Sequence, residues 1–481
     1  MSLTLFGIII VLIGGLLLVR SGMAAMLAFV MVATLFGGSA AIALPALGGS
    51  TIPPANLALL FLILRAVLPG PQQMERLGPA LRANAFLIVF ALYGVISAFI
   101  MPRLFAGAIA VTPLRPGAVR QLYEASPLHF SSQNITTAVY LMGTLIAGLG
   151  ATIGAARPGA APVIVRTGIA IAIAHAVLGF ISILVAGTAL DTLVEFFRNG
   201  NYAQLDQSIG GLNRMNGIWP EASGFAAYGG AWLIFMTELW LRDIKRRWTG
   251  FAALLLALAL LISTSSTAYV TLGGYSVILL LRMALLPGSV SLRKGLALAA
   301  VVFAGVLIVL TAITLNAEAL ERFGRILSIM TVEKTDSFSG MQRLYWAMQG
   351  LDAFMATAGM GVGAGSFRSS SLITSIIGSM GVIGIVCFVS HLMRAFMPLR
   401  ASTYAASVEG RGAVGAAASW TALLMLMPAA VSSPSPDPGV MWAVFSGLAV
   451  GLRTFGSAPA RRTAQRPRPL TFSELKARHA S

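Results

Sequence analysis

"LTLFGIIIVLIGGLLLV", residues 3–19, is an uninterrupted apolar run near the start of the chain. Similar runs of roughly 17 to 25 residues recur along the sequence, and a helix of that length crosses the ~30 Å hydrocarbon core of a bilayer. The chain is 57% apolar and only 10% charged, whereas soluble domains average about 25% charged residues. The sequence therefore predicts an all-α, polytopic integral membrane helical bundle.

The first run lacks a basic segment before it and an obvious small-residue cleavage site, so we expect a retained span rather than a signal peptide. Over residues 1–454 the pattern predicts thirteen spans, within a range of about 12–14. They lie near 3–19, 22–46, 55–68, 84–100, 132–152, 162–188, 222–240, 248–263, 266–287, 295–314, 372–393, 412–430 and 438–452. The segment "STSST" at 263–267 is either a tight hairpin or a break within one helix. We expect the basic tail, 455–481, to be disordered.

Basic residues concentrate in the loops and tail on one side of this topology, most clearly in "LRDIKRRW" at 241–248. Because cytoplasmic loops carry an excess of Lys and Arg, we expect an outer N-terminus and a cytoplasmic C-terminus. This topology, with attraction to anionic lipid headgroups, explains the net charge of +17 without nucleic-acid binding. The single cysteine, Cys387, excludes an internal disulfide and a cysteine metal cluster. The four histidines show no metal-ligand spacing, so we expect neither metal nor cofactor.

Three outer segments are long enough to form a site: 101–131, 189–221 and 315–371. The third predicts an amphipathic helix over about 340–357, with Ser339 as N-cap and Gly359 as stop. One apolar stripe on this helix contains Leu344, Met348, Leu351 and Met355. The opposite face contains Gln342, Trp346 and Gln349, with Arg343 beside them. We expect the apolar stripe to lie on the bundle and the polar face to point toward a cavity.

"RMNGIWPEASG", residues 214–224, places Arg214 and Glu221 at the mouth of a span. Charge near hydrocarbon is costly and tends to mark functional cavities. The alternative is an arginine at headgroup level with an N-capping Glu221 or Ser223. Arg343 has a similar alternative as a lipid-phosphate contact, and Arg368 as an interfacial anchor. Together the three arginines predict a cradle for an anionic group, since the guanidinium fork suits phosphate oxygens.

Other motifs are less specific. "GMGVGAGS" at 359–366 follows no strand and fails as a dinucleotide-binding motif. Its glycines favour close backbone packing, and their amides are candidate anion ligands. The hydroxyls of "STSSTAY" favour helix-end hydrogen bonds over sugar contacts. His129, the outer histidine, is a candidate base or an incidental loop residue. His175 and His391 favour packing or interhelical bonding.

The order of these features resembles the O-antigen ligase and polymerase family of bacterial envelopes, especially its exopolysaccharide polymerase branch. The resemblance covers roughly residues 210–390. It consists of an Arg-x-x-Gly-x-x-x-Glu-x-Ser box at 214–223, the break at 263–269, a large outer loop with Arg343 and a shifted Trp346, and "GMGVGAGSFR" at its end. It implies an inverting, metal-independent integral-membrane glycosyltransferase. Such enzymes take glycan from an undecaprenyl-pyrophosphate carrier at the periplasmic face of the inner membrane.

Under this resemblance Arg214 and Arg343 are expected to stabilise the departing pyrophosphate, with Arg368 in support. Glu221 is the candidate general base. The expected substrate contacts also include Trp219, Ser223, Gln342 and Trp346. Ligases of the family are associated with a histidine near the second arginine, and residues 315–371 contain none, which favours a polymerase.

Three alternatives remain: an O-antigen ligase acting on lipid A core, a lipid-linked glycan flippase or transporter, and a non-catalytic assembly protein. Spans nearly free of charge argue against a transporter. The expected partners are the undecaprenyl-pyrophosphate-linked glycan, the bilayer, a chain-length regulator and a flippase, with no nucleic acid. The expected location is the bacterial inner membrane.

Overall fold

The computed structural model describes residues 2–45, 49–68, 74–114, 125–200, 208–209, 212–286, 288–315, 338–396 and 410–454. Within these ranges the chain is mostly helical. The first helices are α1 (Leu5–Arg20), α2 (Met23–Ala33), α3 (Pro54–Val67), α4 (Met74–Ala83), α5 (Ala85–Leu104), α6 (Ser132–Ala155), α7 (Ala160–Leu184), α8 (Asp191–Glu195) and α9 (Ala222–Leu241). They are followed by α10 (Arg246–Ile262), α11 (Ser266–Leu285), α12 (Leu292–Leu315), α13 (Phe338–Ala356), α14 (Leu372–Phe396), α15 (Gly410–Leu424), α16 (Leu426–Ser432) and α17 (Val440–Thr454).

Six helical segments in the described part of the chain are long and apolar enough to cross a membrane. They are Ala85–Leu104, Ser132–Ala155, Ala160–Leu184, Ser266–Leu285, Leu372–Phe396 and Gly410–Ser432. Shorter apolar helices include α1, α2, α3 and α17. The protein is therefore a helical, multi-pass membrane protein, as the sequence predicts. The basic tail at 455–481 and parts of the three long segments at 101–131, 189–221 and 315–371 lie outside the described residues.

The predicted span over 22–46 is wrong in its second half. The helix α2 ends at Ala33, a 3-10 turn covers Thr34–Phe36, and the chain then forms a strand, β2 (Ile42–Leu44). This strand pairs antiparallel with β1 (Ser2–Leu3) on one side and β3 (Ser50–Ile52) on the other. The helix ends where Gly37 and Gly38 approach the 214–220 segment: a Cβ at Gly38 would lie 2.4 Å from the carbonyl oxygen of Ile218. Tertiary packing thus overrides the apolar pattern.

Two further strand pairs occur in the long loops between helices. The strand β4 (Ala110–Val111) pairs antiparallel with β5 (Ser126–Pro127), and β6 (Ser208–Ile209) pairs with β7 (Leu212–Asn213). The second pair directly precedes Arg214. It therefore brings the chain to the start of the 214–220 segment as a hairpin.

The core of the bundle contains α6, α17, α5, α14, α9 and α15, which pack against one another. Small residues allow close approach: a Cβ at Gly447 would lie 2.4 Å from the carbonyl oxygen of Gly148 on α6. This is the way membrane helices commonly associate, since lipid supplies no hydrophobic drive between helices. Aromatic rings fill the wider gaps, with Trp232 and Phe235 on α9 against Phe445 on α17.

The helix α13 begins at Phe338, so Ser339 lies inside its first turn rather than at its N-cap. Gly359 follows the helix at a φ of +84° and donates its amide to the carbonyl of Phe354, which confirms it as the stop. The predicted orientation of the apolar stripe is wrong. Met355 is 76% exposed and Leu344 is 65% exposed, so the stripe faces away from the bundle.

The opposite face of α13 packs on α14, and its small residues permit the contact. A Cβ at Gly350 would lie 2.3 Å from the carbonyl oxygen of Thr374, and Ala353 is fully buried. An exposed apolar stripe on a surface helix is the pattern of a helix that lies in a membrane interface. The sequence pattern identified the two faces of α13, but it assigned the apolar one to the wrong environment.

The bundle also contains a buried ionic cluster, which the low charge of the spans did not predict. The Glu238 carboxylate on α9 accepts hydrogen bonds from Arg242 at 2.5 Å and from Arg282 on α11. Tyr275 donates to the same carboxylate at 3.0 Å. The Arg282 guanidinium lies over the ring of Trp420, 3.9 Å from its centroid. The cluster ties α9, α11 and α15 together at the end of α9 that lies farther from Arg214.

Candidate functional site

Arg214 begins a loop that is held to the bundle by its backbone. Gly217 adopts a φ of +54° and donates its amide to the hydroxyl of Ser182 at 3.1 Å. The Arg198 guanidinium donates to the carbonyl of Gly217 from Nε at 3.0 Å and from Nη2 at 2.6 Å. Burial lowers the pKa of Arg198, and the nearby charges of Asp191 and Glu195 oppose that shift. Sequence reasoning missed Arg198, which lies in an unremarkable loop sequence.

The Arg214 side chain is half-buried, and its Nε is buried without a hydrogen-bond partner among the described residues. Burial is the largest cause that lowers the pKa of Arg214, and the negative charge of Glu221 opposes it. The positive charge of Arg343 lowers that pKa further. Charges shift a pKa appreciably only at short range. The structure therefore places Glu221 and Arg343 within electrostatic range of Arg214, although Arg214 and Arg343 lie far apart in sequence.

Glu221 occupies the N-cap position of α9, but its side chain makes no capping hydrogen bond. Its Oε2 instead accepts a hydrogen bond from the hydroxyl of Ser223 at 2.9 Å. Glu221 therefore holds the N-cap position that the alternative expects, but its side chain bonds to Ser223 rather than to the helix backbone. Glu221 and Ser223 form a polar pair beside Arg214.

Arg343 and Arg368 lie on neighbouring segments. The Ser370 hydroxyl donates to the main-chain carbonyl of Arg343 at 2.5 Å, while the Arg343 side chain is exposed. The Arg368 guanidinium lies over the ring of Trp346, 4.5 Å from its centroid, and donates to the carbonyl of Leu114 at 3.3 Å. Arg368 and Trp346 are thus brought together, as two of the predicted substrate contacts.

Gln342 is half-buried on the same helix, and Gln349 is buried. The Gln349 side chain accepts from the amide of Thr112 at 3.0 Å and donates to the hydroxyl of Tyr345 at 2.9 Å. Gln349 therefore fixes α13 to the loop after α5. This face therefore packs toward the protein at Gln349, while the cavity expected in front of Gln342 and Trp346 stays a prediction.

The glycine-rich loop packs closely against α14, which kinks at Gly381 where φ is +58°. Its glycines at 359, 361, 363 and 365 all adopt positive φ. Val362 and Gly363 donate their amides to the carbonyls of Gly378 and Ser379. These two amides are occupied by the protein itself, so the loop serves as a scaffold for Arg368 and Ser370 rather than as an open anion cradle at those positions.

The hairpin at 263–266 borders the same site, because Tyr269 on α11 also affects the pKa of Arg214. The helices α10 and α11 run in opposite directions along α9, since α10 approaches it from Leu260 at Gly229 back to Gly250 at Trp240, whereas α11 runs from Thr271 at Gly230 to Arg282 at Glu238. This geometry is a hairpin rather than a single broken helix. The Ser263 hydroxyl donates to the carbonyl of Leu260, as expected for a helix-end contact. Thr264 Oγ1 and Ser265 Oγ are buried without a partner in the part of the chain that the structure describes.

A cavity of about 380 Å³ lies beside Trp219. We call the end of the bundle that contains this cavity and the 214–224 segment the Arg214 end. The cavity is lined by the ends of α2, α3, α9, α16 and α17, with the aromatic residues Trp219, Tyr228 and Trp442 and the polar residues Asn56, Ser432 and Ser433. The indole Nε1 of Trp219 is buried without an acceptor among the described residues. A ligand with a hydroxyl or another acceptor in this cavity would satisfy it.

A second cavity of about 450 Å³ lies between α3, α5 and α6 and is almost entirely apolar. Asn56 lines both cavities. Sequence reasoning missed Asn56, because one amide in the first turn of an apolar helix carries no pattern.

The histidines His175 and His391 are packed and bonded between helices, as the sequence favours. His175 bonds to the carbonyl of Phe225 at 3.1 Å and stacks on the Phe225 ring, and His391 bonds to Ser446 at 3.2 Å. His129 is exposed, and its Nδ1 lies 2.8 Å from the carbonyl oxygen of Pro127. Among the residues with described positions, no group of three His, Cys, Asp or Glu side chains is arranged to hold a metal ion.

Comparison of the chain with protein-family models, with curated proteins and with solved structures found no match. The Arg214 end offers two arginines within electrostatic range of each other, a carboxylate–hydroxyl pair and an aromatic cavity.

Proposed function

We propose that the protein is a membrane glycosyltransferase that polymerises lipid-linked oligosaccharide repeat units in exopolysaccharide, capsule or O-antigen synthesis. The donor would be a glycan on an undecaprenyl-pyrophosphate carrier. The observation that carries the proposal is that Arg343 lies close enough to Arg214 for its positive charge to lower the pKa of Arg214. Two like charges near one another repel, so a site that keeps both is suited to an anionic ligand between them.

The arrangement suits a pyrophosphate leaving group in particular. As the glycosidic C–O bond to phosphate breaks, negative charge grows on the departing pyrophosphate, and preorganised cations stabilise it. Arg214 has a buried Nε with no described partner, so it has hydrogen-bonding capacity to offer. Arg343 is exposed and approaches from a different element, α13. Arg368 is the proposed third positive charge, and its guanidinium lies over the ring of Trp346 on α13.

The reaction also needs a group that accepts the proton of the attacking sugar hydroxyl. Glu221 is the candidate from the sequence, and its contact with Ser223 fixes one carboxylate oxygen. Trp219, Gln342 and Trp346 are the proposed contacts of the sugar and the carrier. We propose that this end of the bundle faces the periplasm of the bacterial inner membrane.

The flippase alternative would require ionisable groups along a path through the membrane. The buried cluster around Glu238 is internally paired and closed, with side chains of Glu238 and Arg242 that are 0% exposed. It therefore fits a structural tie between helices. The ligase alternative remains the closest competitor, since both reactions use the same donor and the same leaving group.

The test is a strain that lacks the protein, complemented with single variants. Lipid-linked glycans are extracted and sized, and secreted and envelope polysaccharides are measured. We expect single repeat units on the carrier and no polymer in the deletion strain, in Arg214→Lys and in Arg343→Lys. Arg246→Lys is the matched control, because Arg246 is an exposed arginine far from this site, and it should restore polymer.

The other outcomes overturn the proposal in distinct ways. Full-length polymer retained on the carrier would identify a ligase. Repeat units that accumulate facing the cytoplasm would identify a flippase. Normal polymer in both arginine variants would identify an assembly role without catalysis.

A further inference from the structure

Asp437 is a second carboxylate near the proposed site, and the hypothesis that Glu221 is the general base gives it no role. It lies in the 433–439 loop between α16 and α17, at the Arg214 end. Its Oδ1 accepts a hydrogen bond from the hydroxyl of Thr144 on α6 at 2.6 Å and another from the amide of Gly439 at 3.2 Å. Burial raises the pKa of Asp437, and these two hydrogen bonds oppose the shift. One oxygen is therefore fixed by the protein.

No described cation compensates this carboxylate. Asp437 takes part in none of the ion pairs among the residues that the structure covers, and no charged group contributes to its pKa. The ionisable groups on the segments around its loop are Tyr140 on α6, which is bonded to the carbonyl of Thr51, and Arg368, which lies over Trp346. Glu238 is the opposite case, since it is held by two arginines. Asp437 is half-buried, and a carboxylate held in such a place without a described cation is a candidate for proton transfer.

The loop that holds Asp437 forms a wall of the aromatic cavity. Its residues Ser433, Pro438 and Gly439 line the cavity opposite Trp219. The volume of about 380 Å³ falls in the range of roughly 300–1,000 Å³ found for small-molecule pockets. Aromatic faces suit the apolar faces of a sugar ring, while hydroxyl and amide groups on the same wall suit its hydroxyls.

The same loop is also bonded to the 368–370 segment, which contains Arg368 and contacts Arg343 on α13. The amide of Ser369 donates to the carbonyl of Pro434 at 3.1 Å. The next residue, Ser370, bonds to the carbonyl of Arg343. The Asp437 loop therefore contacts the segment beside the proposed pyrophosphate cradle and also lines the cavity.

We propose that this cavity binds the acceptor sugar and that Asp437 is the base that deprotonates its attacking hydroxyl. The inference rests on the proposed function and names the acceptor subsite of the same reaction. The hydroxyl proton moves to Oδ2 of Asp437, and the hydroxyl oxygen forms a bond to the anomeric carbon of the donor. The bond from that carbon to the phosphate oxygen breaks, and the pyrophosphate leaves with the electron pair toward Arg214 and Arg343. Glu221 then serves to hold Arg214.

The test uses the full-length protein in liposomes with a synthetic undecaprenyl-pyrophosphate-linked repeat unit from the host's own glycan. Asp437→Asn keeps an oxygen that accepts from Thr144 and Gly439, but it is not a base. We expect kcat to fall by about 100-fold or more, in line with general-base contributions, with little change in KM. Asp352→Asn is the matched control, because Asp352 is an exposed carboxylate on α13, and its kcat should equal that of the wild type.

The pH profile separates a base from a structural residue. The wild-type rate should fall as the pH is lowered through the pKa of Asp437, since protonation removes the active carboxylate. Asp437→Glu should retain this acid limb at a shifted position, and Asp437→Asn should lose it. If Asp437→Asn fails to fold, Thr144→Val supplies the test: loss of a hydrogen bond to the charged form should move the acid limb to higher pH.

Wild-type kcat in Asp437→Asn, or an unmoved acid limb in Thr144→Val, would overturn the inference. If Glu221→Gln alone removes the acid limb, Glu221 is the base and Asp437 is not. If the proposed function itself is wrong, Arg214→Lys will also leave polymerisation unchanged. If only the role of Asp437 is wrong, Arg214→Lys will still abolish polymerisation.

Discussion

Replacing Glu238 with glutamine should destabilise the protein more than any change of an exposed carboxylate. The Glu238 carboxylate holds Arg242 on its own helix and Arg282 on α11, and it accepts a hydrogen bond from Tyr275. Glutamine has nearly the same shape and volume. The substitution therefore removes the negative charge without creating a cavity, and it leaves two buried guanidinium groups uncompensated.

The magnitude follows from the burial of the partners. The side chain of Arg242 is 0% exposed and that of Arg282 is 3% exposed, so water cannot replace the lost charge. Breaking a buried pair by removing one partner costs about 3–5 kcal/mol. Since 1.4 kcal/mol is about a factor of ten, the unfolding equilibrium constant should rise by roughly two to three and a half powers of ten. Asp243→Asn is the control: its carboxylate is 61% exposed, and exposed ion pairs contribute only about 0–1 kcal/mol.

The assay is reversible unfolding of the purified protein in mixed micelles of mild detergent and SDS, followed by circular dichroism. A triple variant with Glu238, Arg242 and Arg282 all replaced by methionine should recover most of the lost stability, because no unpaired charge remains. A loss below about 1 kcal/mol in Glu238→Gln, equal to that of Asp243→Asn, would refute the reasoning. It would mean that the arginines reach water or lipid headgroups in the folded protein.

Three further predictions concern the backbone around the site. Arg198→Lys removes the two-pronged hydrogen bond to the Gly217 carbonyl, so polymer yield in the complementation assay should fall several-fold while membrane insertion is kept; full yield would contradict a positioning role. Gly381→Ala would place a Cβ 1.9 Å from a carbonyl oxygen at a φ of +58°, so little folded protein should elute on size exclusion, whereas Gly273→Ala, with open space around it, should be normal. Thr264→Gly relieves a β-branched residue at a φ of +48° and removes a buried hydroxyl without a described partner. It should raise the free energy of unfolding by about 1 kcal/mol in the SDS titration, and a loss of stability would show that the hydroxyl has a partner.

The parts of the fold that the sequence predicts well are those set by local composition. The apolar runs at 85–104, 132–155 and 160–184 are helices long enough to cross a membrane, because a helix satisfies its backbone hydrogen bonds within its own segment. Gly359 ends α13 because glycine readily adopts positive φ. The sequence also placed the interruption between α10 and α11 at 263–267, but it left a hairpin and a break as alternatives, and the tertiary structure decided for the hairpin.

The errors arise where two distant segments meet. The helix α2 ends early because Gly37 and Gly38 contact Trp219 and Ile218, and no local pattern reveals that contact. The stripe of α13 faces outward because Gly350 lets the other face pack on α14. A helix in a membrane protein has two apolar environments available, lipid and protein, so an apolar stripe alone does not choose between them.

By itself, then, the sequence determined that this chain is a helical membrane protein, and its motif order singled out Arg214, Glu221 and Arg343 as candidates. Only the tertiary structure decided which of these side chains meet. It placed Arg343 within electrostatic range of Arg214, hid Glu238 between two arginines, and held Asp437 in a loop whose neighbouring residues line an aromatic cavity. The physical reason is that span length and composition are local properties, whereas burial, charge pairing and cavities depend on residues hundreds of positions apart.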